Sequence, residues 1–527
     1  MKKHFGVMID CSRNGVMKPA RIKYLIDLLV KMGYNTLMLY TEDTYEVENQ
    51  PLFGYMRGRY TIEELTDLVE YADSKGVEMI PCIQTLAHLP RIFQWPVYQE
   101  FNDIKDILLV DDDRTYELIE DMFRTLRKSY KTDLIHIGMD EAFSVGLGKH
   151  LRQFGFEDRY KLLTRHIGKV VELAKKYNFK PMMWGDMFFH LACGDYSTDD
   201  TDVISKEVAD LVPKDLELVY WDYFATNKER YDNMIKAYSK FNNKIWFAGS
   251  GVAYAGITPH IECSLMFEKP AMESCRENGI DNVLITIWGD DGQETSQFTV
   301  LPVLLYAAEI YRGNDDLDSI KAKFKELFDI EFDDMLLLDL PSTVLVENNE
   351  GNMDKIMLFA DPFLGFYDCR VRADKSEEAL YKEFAERLKP HTSHPEFGYL
   401  FEVAETLCRV LEYKYTLGVR TREGYKNNDV KYVIERYKKC EELIMDFYNA
   451  MKKRWYIEEK PFGFEVIDIR LGGLKQRLIH CREVLEQFDR GEIQKIEELE
   501  VEVIQTGKGS QINEWMHLVT ANYMEKL

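Results

Sequence analysis

Short apolar runs alternate with longer segments of helical periodicity through the first three-fifths of the chain. In the longer segments apolar residues recur every three or four positions, which indicates amphipathic helices. The short runs have the composition of β-strands, and their alternation with helices predicts a parallel sheet with crossover helices. Eight strands are predicted, at residues 5–10, 36–41, 78–84, 134–138, 180–184, 217–221, 244–248 and 283–288.

Eight repeats of strand and helix are the number that closes a (β/α)8 barrel. We therefore expect residues 1–315 to form one α/β domain with the TIM-barrel fold. Gly33, Gly76 and Asn178 follow predicted helices, at positions where a left-handed residue commonly ends a helix. The clearest helical segments are residues 20–32, 62–75 and 160–177.

The chain changes character after the predicted barrel. Residues 328–352 are acidic and are expected to be irregular, and beyond them no strand alternation returns. Residues 316–527 are therefore predicted to form an all-helical C-terminal domain, which carries no recognisable chemistry of its own. Its predicted helices lie at residues 376–388, 402–417, 430–452 and 467–488.

The charge, the N-terminal segment and the cysteines of the chain indicate which partners and which cellular compartment to expect. With 67 Lys and Arg against 91 Asp and Glu, the net charge of −24 repels polyanions, so we expect neither nucleic acid nor anionic membrane as a partner. The apolar run after the basic N-terminus ends at Asp10, too early for a signal peptide, and no stretch is apolar enough to span a membrane. Nine scattered cysteines without C-x-x-C spacing are expected to be reduced thiols, mostly buried. We expect a cytoplasmic protein and leave a homodimer open.

Acidic and large aromatic residues gather at the predicted strand ends, where barrel enzymes place their active sites. Any one of these acids is about as often the N-cap of the next helix as a functional group. A single Trp there more often packs than binds a ligand. The number of strand ends with such residues favours a site. The residues are Asp10, Arg13, Glu42, Asp43, His88, His136, Asp140, Glu141, Trp184, Asp186, Tyr220, Trp221, Asp222, Tyr254, Trp288, Asp290 and Asp291.

Acids interleaved with Trp and Tyr are suited to binding a sugar. A pyranose ring presents apolar C–H faces for stacking and hydroxyls for carboxylate and Arg hydrogen bonds. Cleavage of a glycoside also needs a proton donor at the leaving oxygen and stabilisation of an oxocarbenium-like centre. The run IHIGMDE, residues 135–141, supplies two adjacent carboxylates directly after a predicted strand. Such neighbours raise each other's pKa, which favours one of them as an acid.

Other kinds of site have less support in the sequence. It contains no phosphate-binding glycine loop, no GxSxG elbow and no HExxH pair, and we expect no cofactor and no metal. Two alternatives stay open. One is a metal-dependent barrel hydrolase with His88, His136 and Asp140 as ligands, and the other is a non-catalytic carbohydrate-binding barrel.

These motifs resemble glycoside hydrolase family 20, the β-N-acetylhexosaminidases, and in particular bacterial members with a helical C-terminal domain. HIGMDE, residues 136–141, is similar to the family's H-x-G-G-D-E signature, and DCSRN, residues 10–14, resembles its D-x-x-R-H element. The segments 35–43 and 77–88, the latter ending at His88, are similar to the family's early strands. The resemblance extends over about residues 5–295.

The resemblance implies an exo-acting enzyme that removes terminal GlcNAc or GalNAc from glycans with retention of configuration. In this mechanism the substrate's own acetamido oxygen attacks the anomeric carbon. Asp140 would orient the acetamido group, and Glu141 would protonate the leaving oxygen and later activate water. The implied substrate-binding residues are Arg13, Asp43, His88, His136, Trp184, Tyr220, Trp221, Asp222, Tyr254, Trp288 and Asp290, with the three tryptophans caging the acetamido methyl and either Tyr254 or Tyr220 bonding its oxygen.

The sequence departs from the family pattern at three points. Met139 stands in place of the second signature glycine, Asn14 in place of a His, and Asp290 in place of a longer Glu. These three differences bear on substrate preference more than on reaction type. Because the first predicted strand begins within the first ten residues, we do not expect the small α/β domain that usually precedes the barrel.

Overall fold

A computed structural model describes residues 3–290, 292–343 and 352–504, together with residues 520 and 522. The predicted candidate Asp291 lies outside the described residues. The chain forms two compact units that are not contiguous in sequence, and the predicted boundary after residue 315 stays a prediction. The first unit comprises Met1–Gly251, Cys263–Trp288 and Leu301–Leu327, and the second comprises Val252–Glu262, Gly289–Val300 and Phe328–Leu527.

The first unit contains a closed barrel of eight parallel strands, each paired with its sequence neighbours, which confirms the predicted fold class. Predicted and observed strands coincide to within two residues at every end. The strands are β1 (His4–Asp10), β2 (Thr36–Thr41), β3 (Glu78–Ile83), β4 (Leu134–His136), β5 (Lys180–Trp184), β6 (Glu217–Trp221), β7 (Ile245–Ser250) and β8 (Asn282–Ile287).

Apolar side chains fill the barrel interior in layers. Met8 of β1 is in register with Met38 of β2, which is in register with Ile80 of β3, and all three belong to the buried interior cluster. Burial of each such side chain stabilises the fold by about 1.5–3 kcal/mol. One step toward the carboxyl ends of the strands, Tyr40 is in register with Cys82. This upper layer supports the side chains that the following loops carry.

The helices of the first unit begin and end where the sequence signals predict. Thr61 forms a capping box with Glu64 at the start of one helix. Gly33 and Asn178 have φ values of 82° and 58°, the predicted left-handed conformation after a helix. The longer helices outside the C-terminal region are Pro19–Met32, Ile62–Ser74, Asp113–Ser129, Arg159–Lys176, Asp186–Cys193, Lys206–Leu211, Lys228–Tyr238, Ile261–Glu277, Leu301–Tyr311 and Leu317–Phe328.

Two features differ from the sequence predictions. A two-stranded antiparallel sheet, Asn102–Ile104 with Ile107–Leu108, lies in the loop after β3 and was not predicted, because such short strands carry no detectable periodicity. The expected irregular region from residue 328 is wrong in its described part. Acidic residues there stand in the first turn of Phe332–Leu336, where the helix dipole favours them, and Leu340–Thr343 follows.

Helices make up most of the regular structure in the second unit's described residues, whereas Val252–Glu262 and Gly289–Val300 are largely turns and irregular backbone. Buried charges in it are paired: Glu294 accepts hydrogen bonds from Lys355 and from Arg470, the latter at 2.9 Å. Paired in this way, the three groups avoid the cost of an isolated buried charge. Its principal helices are Met353–Phe359, Glu377–Leu388, Gly398–Lys414, Leu417–Lys426, Lys431–Glu458 and Phe464–Asp489.

The helices and the cysteines also bear on the predictions about membranes and disulfides. Within the described ranges, no helix combines the length and the apolar character needed to cross a membrane. All nine cysteines are free thiols, and six of them are buried.

Candidate active site

The loop after β4 carries the two adjacent acids and has an unusual backbone. Gly138, Met139 and Glu141 have φ values of 70°, 74° and 50°, all in the left-handed region. At Gly138 a Cβ atom would lie 2.1 Å from Oε1 of Gln84, so only glycine fits. Met139, which replaces the second glycine of the family signature, keeps the left-handed conformation and is fully buried. Left-handed backbone at non-glycine residues is often concentrated at functional sites.

Asp140 lies between a cation and an amide. Its Oδ2 is 3.1 Å from Nε2 of His88, and its Oδ1 accepts a 2.7 Å hydrogen bond from Nε2 of Gln84. Burial pushes the pKa of Asp140 upward, but the charge of His88 and the hydrogen bond from Gln84 hold it below its usual value. Burial disfavours the charged imidazole, yet Asp140 raises the pKa of His88 to about 10. At neutral pH the pair is therefore an ionised carboxylate and an imidazolium.

Glu141 differs from its neighbour in exposure. Its side chain is 44% exposed, against 13% for Asp140, and its Oε2 lies 3.5 Å from Nε2 of His88. Its backbone N–H donates a 3.0 Å hydrogen bond to Oδ2 of the buried Asp186. Burial, and then the charge of Asp140, raise the pKa of Asp186 to about 7. Glu141 is thus the more solvent-accessible of the two acids.

The three predicted tryptophans pack on the barrel's interior cluster. Trp184 and Trp288 have ring centroids 6.2 Å apart, and their buried indole N–H groups have no hydrogen-bond partner among the described residues. Trp288 also meets Tyr40 edge to face at 4.8 Å. Trp221 is stacked on Tyr196, with centroids 4.5 Å apart. Apolar ring faces and unused N–H donors are therefore concentrated at the carboxyl ends of the strands.

Arginines and acids surround the ends of β1 and β2. Arg13 places Nη2 at 3.4 Å from Glu42 and Nε at 3.9 Å from Asp10. Asp43 is buried and accepts 3.3 Å hydrogen bonds from Arg57. The Arg13 side chain remains 32% exposed, although its Nε atom is buried. Asp43, by contrast, is already hydrogen-bonded to Arg57.

Three predicted site residues, His136, Tyr220 and Asp222, are buried and form hydrogen bonds within the protein. His136 is fully buried, its Nδ1 accepts from the N–H of Gly138 at 3.1 Å, and burial lowers its pKa to about 3. Tyr220 is also fully buried, packs against Phe247, and donates a 3.0 Å hydrogen bond to Asp222. These residues support the site's walls in the structure. Tyr254 and Asp290 belong to the second unit, where Tyr254 is buried.

Several side chains that hold the acids in place were not predicted from the sequence. Gln84, Tyr40 and Arg57 were not candidates, and Asp186 was only one strand-end acid among many. A polar Gln immediately after the apolar strand β3 was the available signal for Gln84. Across the described ranges, no three His, Cys, Asp or Glu side chains are grouped as around a metal ion, so the metal-dependent alternative has no ligand set there.

Two family models match separate parts of the chain. Residues 3–229 match the model described as "Glycosyl hydrolase family 20, catalytic domain", and residues 333–517 match "Glycoside Hydrolase 20C C-terminal domain". The chain is 23% identical over 219 residues to Hexosaminidase D of Homo sapiens, covering 39% of this chain and 43% of that protein. It is 21% identical over 252 residues to Beta-hexosaminidase of Emericella nidulans, covering 41% and 39%.

Coverage of the relatives is uneven. The match spans less than half the length of those two proteins but 94% of Hexosaminidase D of Bos taurus, at 21% identity over 59% of this chain. Among solved structures, a beta-N-acetylhexosaminidase from Bacteroides fragilis aligns with a TM-score of 0.49 and 19% identity, over 62% of this chain and 70% of that one. The two family matches together take in more than half of the sequence. The chain belongs to glycoside hydrolase family 20.

Proposed function

We propose that this protein is an exo-acting β-N-acetylhexosaminidase that removes terminal GlcNAc or GalNAc from glycans with retention of configuration. The observation that carries the proposal is the contrast between Asp140 and Glu141. Asp140 is enclosed and ionised beside His88, whereas Glu141 is half-exposed. Substrate-assisted cleavage needs two such carboxylates with different tasks.

Asp140 is suited to the acetamido group. An ionised carboxylate whose orientation is set by Gln84 and His88 accepts a hydrogen bond from the acetamido N–H and turns its oxygen toward the anomeric carbon. As the oxygen attacks, positive charge develops on the ring that forms, and the nearby carboxylate stabilises it. Holding the nucleophile within the substrate also removes the entropic cost of a bimolecular step.

Glu141 is suited to proton transfer. Protonated, it donates its proton to the glycosidic oxygen as the bond to the anomeric carbon breaks, and the alcohol leaves. The resulting carboxylate then takes a proton from the water that attacks the oxazolinium intermediate, which restores the acetamido group and the acid. Exposure of its side chain is consistent with contact with both leaving group and water.

The remaining contacts are assigned by chemistry and position. The partly exposed Trp221 and Trp288 are assigned to the acetamido methyl, with the fully buried Trp184 packed against Trp288, and the partly exposed Arg13 is assigned to sugar hydroxyls. Tyr220 is enclosed and bonded to Asp222. The contacts of Tyr254 or Tyr220 with the acetamido oxygen, and of Asp290 with distal hydroxyls, stay predictions from the sequence, while Asp43 and His136 act by positioning their neighbours. Cytoplasmic localisation and a homodimer remain predictions from the sequence.

The test is turnover of an aryl β-N-acetylglucosaminide by Asp140→Asn and Glu141→Gln variants. Each should fold normally and lose at least about 100-fold in kcat, while the exposed control Asp210→Asn keeps wild-type turnover. A thiazoline analogue of the intermediate should inhibit the wild type tightly. Wild-type turnover in both site variants would refute the assignment, and sugar binding without any hydrolysis by the wild type would favour a non-catalytic barrel.

A further inference from the structure

A cavity of about 630 Å³ opens at the carboxyl ends of β5 and β6, and of the predicted substrate-binding residues only Asp222 belongs to its lining. It is formed by the loop between the helices Asp186–Cys193 and Lys206–Leu211, by the loop directly after β6, and by the helix Lys228–Tyr238. The volume lies within the range of small-ligand sites, about 300–1,000 Å³. Its lining includes Tyr196, Asp199, Phe224, Glu229, Arg230 and Asn233.

The cavity walls are held in place by specific bonds. Arg230 donates from Nη1 to Asp199 at 2.6 Å and from Nη2 to Ser197 at 2.5 Å, which ties the first loop to the helix Lys228–Tyr238. Asp222 accepts hydrogen bonds from the backbone N–H groups of Phe224, at 3.0 Å, and Ala225, at 3.1 Å. Both walls are therefore organised before any ligand arrives, which lowers the entropic cost of binding.

One aromatic ring separates the cavity from the candidate active site. Tyr196 lines the cavity and is stacked on Trp221, at 4.5 Å and an interplanar angle of 17°. Burial, followed by the charge of Asp222, raises the pKa of Tyr196 to about 12, and Glu141 adds to this effect. In an exo-acting enzyme the sugars beyond the reacting one all lie on the leaving-group side, so a cavity next to Trp221 is suited to them.

The lining chemistry selects a neutral, hydroxyl-rich ligand. Phe224 is 50% exposed and, with Tyr196, offers apolar ring faces. Glu229, Asn233 and hydroxyl side chains provide hydrogen-bond partners. The one guanidinium in the lining is already bonded to Asp199. Carboxylates outnumber cations there, which disfavours an anion. Aromatic faces combined with polar groups are suited to pyranose rings.

We propose that this cavity binds the sugar residues on the leaving-group side of the scissile bond, so that the enzyme prefers glycans extended beyond the bond it cleaves. The inference rests on the proposed function, because it takes Glu141 as the proton donor to the leaving oxygen. Binding energy from such remote contacts raises kcat/KM for the extended substrate.

The experiment compares substrates of increasing length. Disaccharides with terminal β-GlcNAc in each of the common linkages identify the linkage cleaved best, and the matching trisaccharide, extended at its reducing end, is then assayed with purified full-length protein. Wild type should show a kcat/KM at least about 10-fold higher for the trisaccharide than for the disaccharide, as two or three good contacts provide. Phe224→Ala and Asn233→Ala should each remove most of that gain.

The matched control is Phe156→Ala, which removes a phenyl ring that is 75% exposed and lies outside the cavity lining. It should keep the wild-type ratio of trisaccharide to disaccharide. Thermal melting of each variant checks the fold. The proposal is overturned if wild type gains nothing from extension, if it cleaves aryl glycosides but no disaccharide, or if the cavity variants keep the ratio. Each of these outcomes leaves hydrolysis of the aryl glycoside, and with it the proposed function, intact.

Discussion

Gln84 donates a 2.7 Å hydrogen bond from its amide nitrogen to Oδ1 of Asp140. The same amide group accepts from the N–H of Met139 through its oxygen, at 3.0 Å, and its nitrogen also bonds the hydroxyl of Tyr40, at 2.9 Å. One side chain from β3's end therefore fixes both the turn that carries the acids and the direction of the Asp140 carboxylate. Its amide is neutral, so it does so without adding charge beside Asp140.

Replacing Gln84 by Glu removes the N–H donor and places a second carboxylate against Asp140. Like charge raises the pKa of Asp140, so the acidic limb of the kcat/KM profile should move to higher pH. We expect kcat/KM at neutral pH to fall about 10- to 100-fold. Gln94→Glu, at an exposed position, is the control. An unchanged acidic limb in Gln84→Glu would contradict the role assigned to this amide.

His88 should stabilise the fold in a pH-dependent manner. Its pKa is about 10 in the folded protein against an ordinary 6.5, so its contribution is complete below about pH 6.5 and is lost as pH rises toward 10. His88→Asn suits the left-handed φ of 55° and should cost about 1–3 kcal/mol at pH 6. Denaturant melts of both proteins across this range should converge at high pH. A constant difference would contradict the ion pair with Asp140.

Asp186 should also make the stability of the fold depend on pH, over a lower pH range than His88. Its pKa is raised from 3.8 to about 7, so the folded state resists its ionisation and loses stability as pH rises through that window. Asp186→Asn keeps an oxygen to accept from Glu141's N–H but cannot ionise. Relative to wild type, the variant should gain about 4 kcal/mol between pH 4 and pH 8, because the pKa is raised from 3.8 to about 7. Asp210→Asn serves as the control. If the difference in free energy of unfolding between Asp186→Asn and wild type did not change with pH, the raised pKa of Asp186 would be contradicted.

Met139 offers a test of backbone strain. Its φ of 74° costs a non-glycine residue roughly 1–2 kcal/mol, whereas its buried side chain contributes packing. Met139→Ala loses the packing and keeps the strain, while Met139→Gly loses both. The glycine variant should therefore be more stable than the alanine variant by about 1 kcal/mol, in reverse of the usual order. Urea denaturation of the two variants measures the difference. A higher free energy of unfolding for Met139→Ala than for Met139→Gly would refute the strain.

The barrel was predictable because its strands are apolar on both faces and are bounded by polar loops. β4 was predicted to continue to Gly138 but ends at His136, since Gly138 turns into the left-handed region. That turn follows from contact with Gln84, which a linear pattern cannot reveal. The adjacent acids were found because they are neighbours in sequence.

The supporting residues were missed for a related reason. Gln84 and Asp140 are 56 positions apart, and Asp186 is 45 from Glu141. Only the closed barrel brings such residues together, and no spacing rule joins them beforehand. Conversely, Tyr220 was a candidate because it ends a strand beside a Trp and an Asp. The alternation of side chains along β6 turns it away from the interior, which contains Val219.

Two stretches that follow β7 and β8, Val252–Glu262 and Gly289–Val300, fold with the helical unit. Thr258 bonds Asp354 at 3.3 Å, and Ser296 bonds Glu458 at 2.5 Å. The polypeptide thus crosses between the units several times, and no single cut separates them. Neither unit can be expressed or inherited as one uninterrupted piece. Any exchange of the helical unit between relatives would have to carry these two stretches with it.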